Sequence, residues 1–269
     1  MKILIVNDDG YRGKGLHALI NALKDEHQLT VVVPAQEKSG TSNSVTFLVP
    51  LTAEKVYLPQ GDLDIWMVEG TPGDCTVIAL DQLMEEKPDL IVSGINNGLN
   101  VADSVMYSGT VAAALQGAFQ GIPTFALSND FNCSDFSVSA NIFKELLPDF
   151  LENEKGNNFL YNINFPNLPL SEIKGMKKTV ISHARMMERF EKRISPYGRD
   201  YYWHIYDDVK EGTGGFTKAV KSQGEEPTDL ETVKAGYISI TPIKLEYLDK
   251  EKLKTMADYS AAFAKLKHR

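Results

Sequence analysis

Short apolar runs alternate with amphipathic segments through the first half of the chain. Lys2–Val6 is almost wholly apolar, which is typical of a strand buried on both faces of a parallel sheet. After a polar loop that ends near Gly15, helical spacing is shown by the apolar positions Leu16, Leu19, Ile20 and Leu23. Leu29–Val33 predicts a second strand, which Pro34 ends.

The alternation continues to about residue 127. The pattern predicts a helix over Asp74–Met84, a strand over Leu90–Val92, an Ala-rich helix over Gly109–Phe119 and a strand over Phe125–Leu127. Strands that alternate with helices in this way favour a mostly parallel sheet covered by helices, so we expect an α/β fold.

The second half has strand patterns without regular helices between them. Predicted strands are Leu160–Phe165, Thr179–Ser182 and Tyr237–Thr241, and Ala257–Lys267 is a candidate terminal helix. Between the last two strands lie a polar, aromatic stretch, Met186–Phe216, and a charged run, Lys218–Lys234. Long segments of this kind are usually functional or disordered, and we interpret this one as an arm that reaches another subunit. A surface excursion is the alternative. We therefore divide the chain into a core over 1–185 and an oligomerisation arm over 186–269, within one structural domain.

The composition and charge of the chain argue against several classes of protein. The 269 residues are 43% hydrophobic and 24% charged with a net charge of −8, so we expect a globular protein that does not hold duplex nucleic acid by charge. No stretch approaches the roughly 20 apolar residues that span a bilayer, and the first residues lack a secretory apolar region, which makes the cytoplasm the expected location and a membrane partner unexpected. Cys75 and Cys133 lie neither in a C-x-x-C pair nor in the C-x-x-x-x-x-R loop of a cysteine phosphatase, so a four-cysteine zinc site, a disulfide framework and a cysteine phosphatase lack support.

Polar clusters follow several predicted strands, where ligands of open parallel sheets bind. Asp8 and Asp9 are adjacent acids directly after the first strand, and two unpaired carboxylates there would repel each other. A divalent cation such as Mg²⁺ or Mn²⁺ resolves that conflict, and Ser39 and Asn96 supply further oxygen atoms. The alternative is that the Asp-Asp-Gly sequence is only a turn.

A second candidate site lies at the start of the Ala-rich helix. Ser108 suits the N-cap, and the amides of Gly109 and Thr110 could receive phosphate. A plain capped helix is the alternative. The loop Thr41–Ser44, which includes Asn43, is either a second set of phosphate donors or a hydrated turn.

Gly13–Ala18 matches G-x-G-x-x-A, the pattern of dinucleotide-binding oxidoreductases. The match is weak because it begins well after the first strand ends and because Asp8 and Asp9 would repel a pyrophosphate.

Taken together, the clusters resemble the SurE family of metal-dependent nucleotidases. The segments that carry the resemblance occur in order along nearly the whole chain: Ile3–Gly10, Val33–Pro34 with Lys38–Gly40, Glu69–Cys75, Asp89–Gly98, Tyr107–Val111, Asn162–Pro166, Tyr201–Trp203 and Gly236–Pro242. One such segment is a weak signal, but the ordered set is highly specific.

The resemblance implies a Rossmann-like three-layer α/β/α core with a mostly parallel sheet and a C-terminal β-hairpin and helix arm used for oligomerisation. It also implies one divalent metal ion held by Asp8, Asp9, Ser39 and Asn96. From the clusters themselves we expect Asp8 and Asp9 to be catalytic, with one or the other orienting or deprotonating the attacking water. Phosphate contacts map onto Asn43, Ser108, Gly109 and Thr110. The implied activity is that of an acid-type phosphoric monoester hydrolase that acts on nucleoside 5′- and 3′-monophosphates and, in some members, on polyphosphate. Related proteins form homodimers or homotetramers by exchanging C-terminal segments.

The chain departs from the family pattern beside this site. Ala102 stands where the family usually has a glycine, and Ser104 stands where it usually has an aspartate. Ser42–Ser44 replaces a Gly-His-Ser sequence found in some members. These differences keep open a second hypothesis, a regulator that binds nucleotide or phosphate without catalysis.

Overall fold

A computed structural model describes residues 1–57, 63–131, 133–186, 189–205, 216, 226–244 and 250–256. Its helices are α1 (Lys14–Leu23), α2 (Pro72–Ile78), α3 (Gly109–Phe119), α4 (Ser137–Asn153), α5 (Asp229–Lys234) and α6 (Lys250–Thr255). Its strands are β1 (Lys2–Val6), β2 (Gln28–Pro34), β3 (Ala53–Val56), β4 (Asp64–Val68), β5 (Leu90–Asn97), β6 (Thr124–Asn129), β7 (Leu160–Phe165), β8 (Met176–Lys178), β9 (Arg189–Ile194), β10 (Asp200–Ile205) and β11 (Ile238–Pro242).

The described strands form one large sheet and a separate hairpin. The sheet has the order β3-β4-β2-β1-β5-β6-β7-β11-β8, and β9 pairs only with β10. Strands β4, β2, β1, β5, β6 and β7 run parallel, whereas β3 and β11 pair antiparallel with β4 and β7. The expected α/β fold with a mostly parallel sheet is confirmed.

Alternate side chains of β1 pack into the two helical layers. Ile3 and Ile5 join a core with residues of α1 and α4, whereas Leu4 and Val6 join a core with residues of α2 and α3. All four side chains are fully buried, which is why β1 reads as a continuous apolar run instead of alternating with polar residues. The polar residues that follow β1 therefore lie at the centre of the sheet edge.

Several predicted boundaries were wrong. Strand β5 does not end at Val92 but continues to Asn97, with an irregularity against β6 between Ser93 and Asn96. Gly94 makes this course possible, because its φ is +131° and a Cβ atom there would lie 2.3 Å from the carbonyl oxygen of Leu127. The helix predicted over Asp74–Met84 begins at Pro72, and its α-helical part ends at Ile78 before a wider π-helical turn over Ala79–Leu83.

Other differences lie in the second half. Thr179–Ser182 is not a strand, because Val180 makes only an isolated bridge with Thr228 and the edge strand is β8 instead. The sequence pattern did not predict β3, β4 or α4, and α4 carries Pro148 in its interior. The candidate helix Ala257–Lys267 lies outside the described residues.

The segment assigned to the arm supplies two different structures. The β9–β10 hairpin stands apart from the main sheet, whereas β11, which covers most of the predicted strand 237–241, lies inside it between β7 and β8. The division of the chain at residue 185 stays a prediction.

Candidate functional site

Loops that follow β1, β2 and β5 meet at one edge of the sheet, as the parallel arrangement requires. The turn after β1 is built by Asn7, whose side-chain Nδ2 donates to the carbonyl of Gly10 at 2.9 Å while its Oδ1 accepts from the Gly10 amide at 3.1 Å. The side chain of Asn7 makes both of these hydrogen bonds to Gly10, so the turn does not use the carboxylates of Asp8 and Asp9.

Asp8 is buried against the first turn of α3. Its side chain is only 3% exposed, and its Oδ1 accepts a hydrogen bond from the hydroxyl of Thr110. Burial raises the pKa of the Asp8 carboxyl, although the hydrogen bonds from Thr110 oppose that effect. The main-chain oxygen of Asp8 accepts from the Lys38 amide at 2.8 Å, which brings the loop after β2 to the same place.

Asp9 is more accessible than Asp8 and lies among negative charges. Burial, and then the charges of Asp8 and Glu37, raise the pKa of Asp9 to about 7, and a hydrogen bond from the Asn97 amide opposes the shift. The contact with Asn97 places Asp9 at the end of β5. A carboxylate that ionises with difficulty in such surroundings is one that a cation would stabilise.

Ser39 lies in the loop after β2, and Asn96 lies near the end of β5, at the sheet edge that carries these two acids. The hydroxyl of Ser39 is exposed and donates to Glu37 Oε1 at 3.0 Å. The Nδ2 atom of Asn96 donates to the Gly98 carbonyl at 2.8 Å, so Oδ1 is the atom that a cation would use. Among the described residues, no three His, Cys, Asp or Glu side chains converge in a way that could hold a metal ion. A cation at this place would therefore draw on neutral oxygen atoms as well as carboxylates.

The first residues of α3 lie against Asp8. Ser108 is the N-cap that the sequence predicts, and its side chain accepts from the Val111 amide at 3.0 Å. A Cβ atom on Gly109 would lie 2.9 Å from the Cβ of Asp8, so glycine allows the helix to approach this closely. The hydroxyl of Thr110 donates to Asp8, whereas the sequence had assigned Thr110 only to phosphate binding.

The loop after β2 is held against α2 and the segment before α3. Ser42, with a φ of +53°, donates from its hydroxyl to the Met106 carbonyl at 2.7 Å and from its amide to the Tyr107 carbonyl at 2.9 Å. Asn43 Oδ1 accepts from Gln116 Nε2 on α3 at 2.8 Å. The two candidate phosphate sites, in this loop and at the start of α3, are therefore neighbours.

Asp74 fixes the other end of that loop. It forms a capping box with Thr71 at the start of α2 and also accepts from the amide and hydroxyl of Thr46 at 2.8 Å and 2.7 Å. Burial opposes ionisation of Asp74, but the hydrogen bonds from Thr71 and Thr46 outweigh burial and lower its pKa. The sequence marked Asp74 only as part of a family segment.

Glycines of the dinucleotide-like pattern have a packing explanation. A Cβ atom on Gly15 would lie 1.9 Å from the carbonyl oxygen of Ile95, so glycine at this position lets α1 touch β5. The pattern at Gly13–Ala18 therefore needs no dinucleotide to account for it.

The sequence pattern indicated no role for two groups of residues near the site, although Asn162 and Asn164 of the first group belong to one of the family segments. Asn100 lies in a buried network in which its side chain donates to Ser128 at 2.7 Å and its carbonyl accepts from Asn162 and Asn164 at 2.8 Å and 3.1 Å. Asp229, from α5, is fully buried and accepts from the amides of Ala102 and Ser182 at 3.0 Å and 2.9 Å. Both groups hold the segment that leads into α3, and each includes at least one hydrogen bond between residues more than 60 positions apart.

A cavity of about 360 Å³ lies beside that segment. Its walls are residues 102–106, with the exception of Ser104, and residues 181–185. In the part of the chain that the structure describes, no helix is long and apolar enough to cross a membrane.

Comparisons with known proteins agree on one family. The family profile described as "Survival protein SurE" matches residues 3–188. A protein named 5′-nucleotidase SurE from Thermoanaerobacter sp. (strain X514) is 39% identical over 254 residues, which cover 91% of this chain and 93% of that protein. Another of the same name, from Syntrophobacter fumaroxidans, is 37% identical over 97% of this chain and 100% of its own. The crystal structure of the SurE protein from Aquifex aeolicus matches with a TM-score of 0.75 and 35% identity, over 95% of this chain and 98% of that one.

Proposed function

The chain belongs to the SurE family, and from this premise we propose that it is a metal-dependent nucleotidase that hydrolyses nucleoside monophosphates to nucleoside and phosphate. The observation that carries the proposal is the placement of the buried Asp8 carboxylate between Asp9 and the first turn of α3. Relatives that are named 5′-nucleotidase at 37–39% identity support the same reaction class.

The residues present suit a hard divalent cation. Asp8 and Asp9 provide carboxylates, and Ser39 and Asn96 provide a hydroxyl and an amide oxygen, which are the ligand types of Mg²⁺ and Mn²⁺. The burial and mutual repulsion that raise the pKa of Asp9 are both relieved by a positive charge. We propose these four residues as the metal ligands.

The ion would offset negative charge on the phosphoryl group and acidify a bound water. Asp9 is partly exposed, so its carboxylate can orient a water for attack on phosphorus opposite the nucleoside oxygen and take up its proton. The bond between phosphorus and the nucleoside oxygen breaks as the new bond forms, and the departing oxygen gains a proton to give the free nucleoside. Asp8, held by Thr110, keeps the neighbouring backbone in place. We propose that Ser108, Gly109 and Asn43 bind the phosphate oxygens, which is supported by the start of α3 at Ser108 beside Asp8, and that Thr110 contributes through its hydrogen bond to Asp8.

The proposed substrates are nucleoside 5′-monophosphates, together with 3′-monophosphates and polyphosphate. The test is a panel of these compounds with Mg²⁺, Mn²⁺ and other divalent ions, scored by release of inorganic phosphate. We expect release from AMP or GMP with Mn²⁺ and its loss when a chelator is added.

Asp9→Asn is the matching variant, with the exposed Asp81→Asn as its control. Asp9→Asn should lower kcat by about 100-fold or more, because a general base typically contributes that much. The thermal melt of the variant should not fall below that of the wild type, since burial and the charge of Asp8 disfavour the negative charge that the substitution removes. Near-wild-type turnover of Asp9→Asn in saturating Mn²⁺ would refute the assignment. Binding of AMP without phosphate release from any substrate would instead favour the non-catalytic regulator.

We also propose that the protein forms homodimers or homotetramers by exchange of C-terminal segments, and that it acts in the cytoplasm. The β9–β10 hairpin supports the exchange, because an isolated two-stranded hairpin is marginally stable and this one exposes 60% of Tyr202 and 57% of Trp203. Light scattering of a double variant, Tyr202→Ser with Trp203→Ser, should report a smaller assembly than the wild type. An unchanged mass would argue against a role of the hairpin in assembly.

A further inference from the structure

The cavity described above joins parts of the chain that are distant in sequence. One wall is the turn that leads to α3, with Asp103, Val105 and Met106, and the opposite wall contains Ile181 and His183. Its volume of about 360 Å³ lies within the range of small-molecule sites in proteins, which is roughly 300–1,000 Å³.

Buried hydrogen bonds fix both walls. The carboxylate of Asp229 accepts from the Ala102 amide at 3.0 Å on one wall and from the Ser182 amide at 2.9 Å on the other. Asp103 Oδ1 accepts from the Met186 amide at 2.9 Å, which adds a second link between the walls. The cavity is therefore part of the folded structure and does not need a ligand to form.

One end of the cavity adjoins the proposed phosphate site. Met106, in the wall, lies two positions before the N-cap Ser108, and its carbonyl accepts the Ser42 hydroxyl at 2.7 Å. The cavity wall and the proposed phosphate site thus share the segment from Met106 to Ser108, to which the loop after β2 is bound through Ser42.

The lining combines apolar surface with a few polar groups. Met106 and Ile181 are 67% and 39% exposed, although they are large apolar side chains. Asp103, His183 and Arg185 contribute hydrogen-bonding and charged groups nearby. This mixture suits a nucleoside, which has a flat apolar base with polar edges and a sugar with hydroxyl groups.

We propose that this cavity is the nucleoside subsite, in which the base packs against Met106 and Ile181. This inference rests on the proposed function. The preference for nucleotides over smaller phosphate esters would then come from the segments 102–106 and 181–185. Because Ala102 lines the cavity and Ser104 lies in the same wall segment, the subsite also gives the family departure at these two positions a place in substrate choice.

The test compares AMP with glycerol 2-phosphate, an ester that has no base. Ile181→Gln and Met106→Gln are made separately, with Leu170→Gln, an exposed leucine elsewhere on the surface, as the matched control. We expect the ratio of kcat/KM for AMP to that for glycerol 2-phosphate to fall by about 10-fold in each cavity variant and to stay constant in the control, since burial of one such side chain against a base accounts for a factor of this size.

Adenosine alone provides a second readout that does not depend on chemistry. It should inhibit competitively, with a Ki that rises in the two cavity variants, while thermal melts verify that each variant is folded. An unchanged ratio, or an absence of competitive inhibition by adenosine, would overturn the subsite. If AMP is still hydrolysed in that case, the proposed function stands. Failure of the wild type to hydrolyse either ester in any divalent ion would instead overturn the proposed function and this inference with it.

Discussion

The local structure at Asp8 and Ala102 contributes to the shape of the proposed site. Asp8 faces a threonine hydroxyl where the sequence offers only a helix start, and Ala102 adopts a φ of +53°, a conformation that suits glycine. Substitutions at Thr110 and Ala102 test what the hydrogen bond and the backbone conformation each contribute.

Thr110→Val removes the hydroxyl that holds Asp8 and keeps the shape of the side chain. We expect the apparent affinity for Mn²⁺ to fall by about 10- to 100-fold, because partners of metal-binding carboxylates typically have effects of that size. Thr110→Ser restores a hydroxyl and should recover most of the affinity. Titration of phosphate release against Mn²⁺ measures both, and a Val variant with wild-type metal dependence would show that Thr110 does not position Asp8.

Ala102→Gly should stabilise the protein. A left-handed alanine costs roughly 1–2 kcal/mol, and the extra freedom of glycine in the unfolded chain offsets part of that, so we expect a gain of about 0.5–1 kcal/mol in the free energy of unfolding. Ala18→Gly, inside α1, is the control and should lose about 1 kcal/mol. Urea denaturation measures both. A loss of stability in Ala102→Gly would mean that the methyl group contributes packing in the cavity wall that outweighs its strain.

At the scale of elements, α2 and the loop after β2 depend on the same carboxylate. Asp74 completes the capping box of α2 and receives both polar groups of Thr46, so the helix start and the loop are fixed together. A change at Asp74 should therefore affect the stability of α2 and the placement of the proposed phosphate loop.

Asp74→Asn should lower the free energy of unfolding by about 1 kcal/mol near neutral pH, in the range of helix-cap losses. The folded-state pKa of Asp74 is lowered, so its stabilisation is fully present above the unfolded carboxyl value of about 4 and is lost as the pH falls through the lower folded value. The difference between wild type and variant should thus be constant from about pH 5 to pH 8 and shrink below pH 4. Urea melts across this range measure it, and a difference that grows on acidification would contradict the account.

At the scale of the whole molecule, residues near the C-terminal end of the described chain brace the site in the first half. Asp229 on α5 holds Ala102 and Ser182, while β11 inserts into the sheet beside β7. The proposed catalytic edge therefore depends on contacts between segments more than 120 positions apart, such as the hydrogen bond between Ala102 and Asp229.

Asp229→Asn tests that long-range support. The amide group of asparagine would place donors against the backbone amides that now donate to the carboxylate, so we expect a loss of about 1–3 kcal/mol in the free energy of unfolding. Glu231→Gln, exposed on the same helix, should change stability by less than about 0.5 kcal/mol. Equal effects of the two substitutions in urea denaturation would show that burial of Asp229 is not the cause.

Periodicity and strand-end chemistry determined much of this protein from sequence alone. The apolar run of β1, the helical spacing of α1 and the Ala-rich α3 are local patterns, and they predicted the parallel sheet and the edge where Asp8, Asp9, Ser39 and Asn96 lie. Ser108 was recognised as an N-cap for the same reason, because a cap depends on neighbours within one turn.

Only the tertiary structure decided features that depend on distant partners. The extension of β5 to Asn97 follows from the approach of Gly94 to Leu127, and the placement of β11 inside the sheet follows from pairing with β7. The role of Thr110 toward Asp8 and the bracing by Asp229 join residues 102 and 127 positions apart. Periodicity describes which face of an element is buried, but it carries no information about which distant group will meet a polar side chain there, because that is fixed by packing of the whole chain.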